Sequence, residues 1–166
     1  MLNTIGYEGS KLTDFIQTLQ TAEIDLVIDV RDRAQSRRPG FSKTALKENL
    51  AVAGIRYLHL KELGDPKEGR EAARSGDYVK FRSIFAQVLD TAAAKAALDE
   101  IVSASERESV CLLCYERDQS QCHRALISNV IETKTGNKTR HLGVRKFEQI
   151  QQHARRVLDP RESAPA

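Results

Sequence analysis

Apolar positions along this chain alternate between two periods, short β-rich runs and stretches of helical spacing, and the alternation predicts β-α units around a mainly parallel sheet covered on both faces. Asn3 to Tyr7 reads as the first strand, closed by the turn residues Gly6 and Gly9. Leu12, Phe15, Ile16 and Leu19 then form one helical stripe, with Ser10 as its expected cap. Leu26 to Val30 is a second buried strand, and Arg31 to Phe41 is a loop by its Pro39-Gly40 turn. Ser42 opens a helix that turns Leu46, Leu50 and Ala53 inward and stops at Gly54, before a strand from Ile55 to Leu58.

The second half repeats the scheme with longer helices. Leu63 to Asp77 has no apolar period and reads as a surface loop able to serve as a lid. Tyr78 to Val102 regains helical spacing, broken near Thr91 into two helices. Val110 to Tyr115 is the clearest strand of this half. Ser120 is the expected cap of a helix bearing Leu126, Ile127, Val130 and Ile131, and Thr139 to Leu142 is a last short strand. Val144, Phe147, Ile150, Ala154 and Val157 give a final amphipathic helix. The expected organisation is one three-layer α/β domain over residues 1–158 and a flexible tail over 159–166, without repeats or low-complexity segments.

With 166 residues and 40% hydrophobic content, the chain can bury a substantial core. No stretch approaches the roughly 20 apolar residues that cross a bilayer, and the N-terminus lacks a secretory pattern, so the expectation is a cytoplasmic protein without a membrane partner. Three cysteines are too few for a disulfide framework, which leaves free thiols, ligands or catalysts. The net charge of +3 is unevenly spread. Arg31 to Lys47 carries six Lys or Arg against Asp32, and Lys134 to Arg161 carries eight against Glu148 and Asp159, so the remainder of the chain is acidic.

Ligands of open parallel sheets bind beyond the carboxyl ends of the strands, and three unusual loops start there. They are Gly6 to Ser10; Asp29-Val30-Arg31 with Ser36 to Phe41; and Cys114 to Arg124. A four-ligand metal cage is disfavoured, because strand alternation sends Cys111 and Cys114 to opposite faces; a three-ligand site from Cys114, Cys122 and His123 stays open, and no residue is assigned to a metal. In the thiol reading, Cys122 sits in the first helical turn, where the helix dipole and Arg124 lower its pKa, and Cys114 is a second nucleophile candidate. The plainer reading makes all three cysteines small buried hydrophobes.

Glu116 and Asp29 are carboxylates at strand ends, suited either to general acid-base work or to ion pairs with Arg31 or Arg124. The arginine-rich loop, with Arg31, Arg37 and Arg38, fits an anion. His59 and His141 read as structural, His153 as exposed, and no hydrolase triad is indicated. Cys111 and Arg117 have the C-x5-R spacing of thiol phosphatases, but the intervening residues include no glycine and cannot wrap a phosphate.

Five ordered motifs complete the picture: Thr4-Ile5-Gly6-Tyr7-x-Gly9, Asp29-Val30-Arg31, Ser36 to Phe41, Tyr57-Leu58-His59-Leu60-x-x-Leu63-Gly64, and Cys114-x-Glu116-x-Asp118-x-x-x-Cys122-His123-Arg124. Together they resemble the domain of unknown function 488 family, found chiefly in bacteria and archaea, over about Thr4 to Leu142. The resemblance places characteristic polar positions on Tyr7, Asp29, Arg31, Arg37, Arg38, His59, Cys114, Glu116, Cys122, His123 and Arg124. Glu8 and Gln119 depart from its pattern, and Cys111 lies outside it. It implies a fold and a site but no reaction, and it leaves the cofactor unknown.

The expected function is an enzyme acting on a phosphate-bearing nucleotide or nucleic-acid component. Tyr7, Arg31, Arg37, Arg38, His123 and Arg124 bind substrate, Glu116 or Asp29 moves protons, and Cys122 or Cys114 is the nucleophile if the chemistry is covalent. The alternatives are a non-catalytic nucleic-acid-binding module and a thiol- or metal-based sensor. The expected partner is an anionic small molecule or nucleic acid.

Overall fold

The computed structural model of the chain describes residues 1–148. Its five strands are β1 (Leu2–Gly6), β2 (Leu26–Asp29), β3 (Arg56–His59), β4 (Val110–Cys114) and β5 (Arg140–Leu142), in the order β3-β2-β4-β1-β5. Every neighbouring pair is parallel. The helices are α1 (Leu12–Thr21), α2 (Lys43–Val52), α3 (Lys67–Arg74), α4 (Tyr78–Leu89), α5 (Ala92–Arg107) and α6 (His123–Thr135).

β4 shows how the sequence pattern becomes layers. It lies between β1 and β2, and all five of its residues are buried. Strand alternation sends Val110, Leu112 and Cys114 into one core, with Leu98 and Ile101 of α5 and Ile127 and Ile131 of α6. Cys111 and Leu113 enter the other core, with Phe15 and Leu19 of α1 and Leu46 and Leu50 of α2. Cys111 and Cys114 are thereby parted by the sheet, as the alternation requires. The result is the expected three-layer α/β arrangement.

The chain leaves β1 through α1 on one face and leaves the adjacent β4 through α6 on the other. Connections that diverge from neighbouring strands open a crevice at their carboxyl ends, and this crevice holds the site. Gly6 ends β1 there because a backbone crosses it: a Cβ at Gly6 would lie 1.8 Å from the carbonyl oxygen of Glu116.

Several local expectations change. α1 begins at Leu12 after Lys11, without a side-chain cap, and Ser10 instead offers its carbonyl to Arg38. Ser42 does precede α2, but its hydroxyl accepts from the Ser36 amide at 3.1 Å and donates to the Ser36 carbonyl at 3.2 Å, closing the arginine loop rather than capping the helix. Ser120 lies in a 3-10 turn (Gln119–Gln121) held by Asp118, so the α6 cap falls two residues later, at Cys122. Thr91 accepts from the Ala94 amide at 3.2 Å and divides α4 from α5 at the expected place.

The expected loop over residues 63–77 contains α3. Its buried residues are Gly69 and Ala72, which fit a helix closely against the protein without leaving a large apolar stripe in the sequence. Gly64 allows the entry, because a Cβ there would meet the backbone nitrogen of Asp32 at 2.4 Å. The expected final helix, apart from Val144 to Glu148, and the tail over 159–166 lie outside the described residues. Among the described residues, no helix is long and apolar enough to cross a membrane.

Gly6→Ala is expected to cost about 2 kcal/mol or more, because the clash is with main chain rather than with a movable side chain. The denaturant midpoint measures this, and a variant as stable as the parent would show that the Glu116 segment does not rest on β1.

Candidate functional site

Arg31 organises the end of β2. Its guanidinium donates from Nε to Asp29 Oδ1 at 2.8 Å, from Nη2 to Asp29 Oδ2 at 2.6 Å, and from Nη1 to the Tyr7 hydroxyl at 2.9 Å and the Phe41 carbonyl at 3.0 Å. Tyr57 of β3 donates to the same Oδ2 at 2.6 Å. Asp29 is wholly buried and Arg31 nearly so, so the ion pair is unscreened and each partner satisfies the other. The Tyr7 ring stacks on Phe41 at 4.4 Å, which fixes the arginine loop above the end of β1.

The end of β4 and the start of α6 bring two thiols, a carboxylate and an imidazole together. Cys114 Sγ donates to Glu116 Oε2 at 3.1 Å. His123 Nδ1 lies 3.7 Å from Cys114 Sγ and 3.9 Å from Cys122 Sγ. Its Nε2 is 2.7 Å from the Val30 carbonyl, which can only accept, so Nε2 carries the proton and Nδ1 turns a lone pair to the sulfurs. Burial pushes the Glu116 carboxyl up, but hydrogen bonds from the Cys114 thiol, its own amide and Cys122 outweigh it and hold the group below the ordinary glutamate range. Glu116 is thus an anion placed against a thiol.

The thiols differ from expectation. Cys122 stands at the N-cap, only 2% exposed, and burial first, then Cys114, pushes its pKa well up rather than down. Cys114 is likewise raised, by burial. Burial disfavours charge on the His123 ring, whereas a Cys122 thiolate and the Val30 carbonyl together would lift it to about 9. With Cys122 held as a thiol, that contribution is missing at neutral pH, which leaves Glu116 and the Val30 carbonyl to oppose burial of a charged ring.

These groups form the floor of a cavity of about 640 Å³. Tyr7, Arg31, Arg37, Arg38, Cys114, Glu116, Cys122 and His123 all line it, so eight of the ten expected site residues meet in one place. Two do not. Asp29 lies beneath the cavity with both oxygens engaged by Arg31 and Tyr57, which makes it a positioning residue rather than a mover of protons. Arg124, 1% exposed, donates to the carbonyls of Glu116 and Arg117 and faces Thr4 Oγ1 at 3.4 Å, and so secures the Glu116 segment instead of a substrate. His59 and His141 are structural, the first bonded to the Arg31 carbonyl and the second to Thr4 Oγ1, each at 2.7 Å.

Sequence reasoning missed the wall made by α3 and α4. Arg70 bonds the Asp65 carbonyl and Asp32 Oδ2, and Arg74, Tyr78 and Phe81 complete that side. The most informative newcomer is Asp65. It is 6% exposed, its Oδ1 has no hydrogen-bond partner, and burial chiefly, against the pull of His123 and Arg70, raises its pKa to about 6. The only sequence sign of it was a lone aspartate in Gly64-Asp65-Pro66, next to one of the family-like motifs.

Between the ordinary aspartate value of 3.8 and about 6, the folded protein holds a proton that the unfolded chain releases, so Asp65 makes stability fall as pH rises through that window. In chelator-containing buffer, Asp65→Asn is expected to stabilise the protein by on the order of 2 kcal/mol at pH 8, with the gain vanishing toward pH 4. A pH-independent difference in unfolding free energy would show that the carboxyl is not strained by burial.

No curated protein and no solved structure matches the chain. A family model does, over residues 11–131, a span that begins just before α1 and ends in α6. It takes in every cavity residue except Tyr7. The chain therefore belongs to the family described as Domain of unknown function DUF488.

Proposed function

We propose that this protein is an enzyme acting on a phosphate-bearing small molecule, a nucleotide or a nucleic-acid component. The observation that carries the reading is the concentration of Arg31, Arg33, Arg37, Arg38, Arg70 and Arg74 around one cavity whose floor holds Cys114, Glu116, Cys122 and His123. Six guanidinium groups face three carboxyls, those of Asp32, Asp65 and Glu116, so the cavity favours an anion. Arg31, Arg38 and Arg70 are tied to protein partners and make a fixed frame. Arg33, Arg37 and Arg74 make no ion pair among the described residues and are available to a ligand. Arg38 Nε is buried without a hydrogen-bond partner, a donor that a bound phosphate oxygen would satisfy. Tyr7, Tyr78, Phe81 and Tyr115 offer apolar surface for a base or ring beside the anion.

In this reading the arginines hold the phosphate, and the Glu116 carboxylate, which accepts from the Cys114 thiol, orients that thiol toward the bound group. A nucleic-acid-binding module would draw on both basic segments, Arg31 to Lys47 and Lys134 to Arg161, and positions 149–161 of the second lie outside the described residues.

The test is equilibrium binding of mononucleotides and inorganic phosphate, set against a single-stranded oligonucleotide. Mononucleotide binding is expected, and Arg37→Ala and Arg38→Ala should each weaken it about tenfold or more, with the melting temperature preserved in Arg37→Ala. Affinity confined to the oligonucleotide, or unchanged in both variants, would reject the pocket as the phosphate site.

A further inference from the structure

We infer that Cys114, Cys122 and His123 form a three-ligand site for a zinc ion, with the fourth coordination position open to the cavity. The inference stands on ligand geometry and is independent of the phosphate reading. Cys114 Sγ, Cys122 Sγ and His123 Nδ1 all lie within 4.8 Å of one another, and all three residues are buried. Zinc–sulfur bonds of about 2.3 Å and zinc–nitrogen bonds of about 2.0–2.1 Å at tetrahedral angles place a sulfur about 3.6 Å from the nitrogen. The two sulfur–nitrogen separations, 3.7 and 3.9 Å, are close to that edge, and the sulfurs need to approach each other by no more than about 1 Å to reach the tetrahedral sulfur–sulfur edge of about 3.8 Å.

The orientation of His123 is a second, separate observation. Metal-bound histidines characteristically donate their other ring N–H to a carbonyl or carboxylate, which fixes the tautomer and aims the lone pair. His123 does this through Nε2 and the Val30 carbonyl at 2.7 Å, and the ring is held on its other side by Phe85 at a centroid distance of 5.1 Å. Nδ1 is left facing two sulfurs and no stronger hydrogen-bonding partner.

Ligand chemistry selects the metal class. Two sulfurs and an imidazole suit zinc and exclude magnesium and calcium, which require oxygen. Binding exchanges two thiol protons for the cation, so a divalent ion with two thiolates and a neutral imidazole adds no net charge to the interior. The cavity side of the cluster carries Glu116, whose Oε2 is 3.1 Å from Cys114 Sγ, and Asp65, whose buried Oδ1 lacks a partner. An open fourth position of this kind is what separates catalytic from structural zinc sites, and Glu116 would be the carboxylate beside it.

Full-length protein freed of any affinity tag and stripped with chelator should bind one equivalent of zinc and none of magnesium. Cobalt in its place should give thiolate charge-transfer absorption with the intense visible bands of tetrahedral coordination, a readout on the unsubstituted protein that needs no variant to fold. Cys114→Ser, Cys122→Ser and His123→Ala should each weaken zinc binding more than about 100-fold. Cys111→Ser is the control, since that sulfur lies across the sheet in the other core, and its zinc affinity should match the parent. Absence of stoichiometric zinc binding, cobalt spectra without thiolate bands, or binding that survives loss of both Cys114 and Cys122 would overturn the site. Zinc binding by a protein that takes up no nucleotide would leave it standing while removing the phosphate reading.

Discussion

The buried pair of Asp29 and Arg31 is the constraint on which the site depends. A guanidinium this far from water is tolerable only because a carboxylate meets it with two hydrogen bonds and a hydroxyl and a carbonyl take further donors. Those partners come from β2, from the segment after β1 and from the loop before α2, while Tyr57 adds β3. One charge cluster therefore fixes the relative heights of three strand ends and one loop. Such a pair contributes little net stability over an apolar substitute, but removal of one member leaves the other charge stranded, so the geometry is held by the cost of every alternative.

A second clamp does the same for the floor. Arg124 reaches back from α6 to the carbonyls of Glu116 and Arg117, and Glu8 accepts from the Arg117 amide at 3.0 Å. The β4 segment is thereby drawn across Gly6, where only a glycine leaves room. Glu116 and Cys114 end up side by side through main-chain restraint, not through their own attraction. The departure of Glu8 from the family-like pattern acquires a local reason, since its carboxylate holds an amide of the same segment.

The chemistry of the floor follows from its dryness. Burial makes the thiols weak acids and lifts Asp65, whereas hydrogen bonds keep Glu116 an anion, so the cluster rests with its sulfurs protonated beside a carboxylate. A group that enters the cavity alters this balance. A phosphate would be met by arginines at the rim, whereas a divalent cation would be met by sulfur and nitrogen at the base. The two preferences draw on different donors for binding, guanidinium groups for the anion and sulfur and nitrogen for the cation, but both readings call on Cys114, as a nucleophile in one and a ligand in the other.

Much of this was legible in the chain because period and order are local properties. Strand alternation alone separated Cys111 from Cys114, and the rule that sites gather at strand ends brought eight of ten named residues to the cavity. The exceptions share a cause. Asp29 and Arg124 have the right residue types at the right ends, but which partner saturates a buried charge depends on neighbours distant in sequence, here Tyr57 for Asp29 and the Gly6 crossing for Arg124. α3 was hidden because it packs through Gly69 and Ala72, which leave no apolar period, and Asp65 was hidden with it. The direction of the Cys122 shift reversed because a helix N-terminus is visible in sequence whereas the depth at which it is buried is not. The sequence by itself determined the layers, the strand ends and the inventory of reactive groups, since these follow from spacing along one chain. Only the tertiary structure decided which groups are solvated, which are paired and which face the cavity, because desolvation and pairing are properties of the assembled neighbourhood.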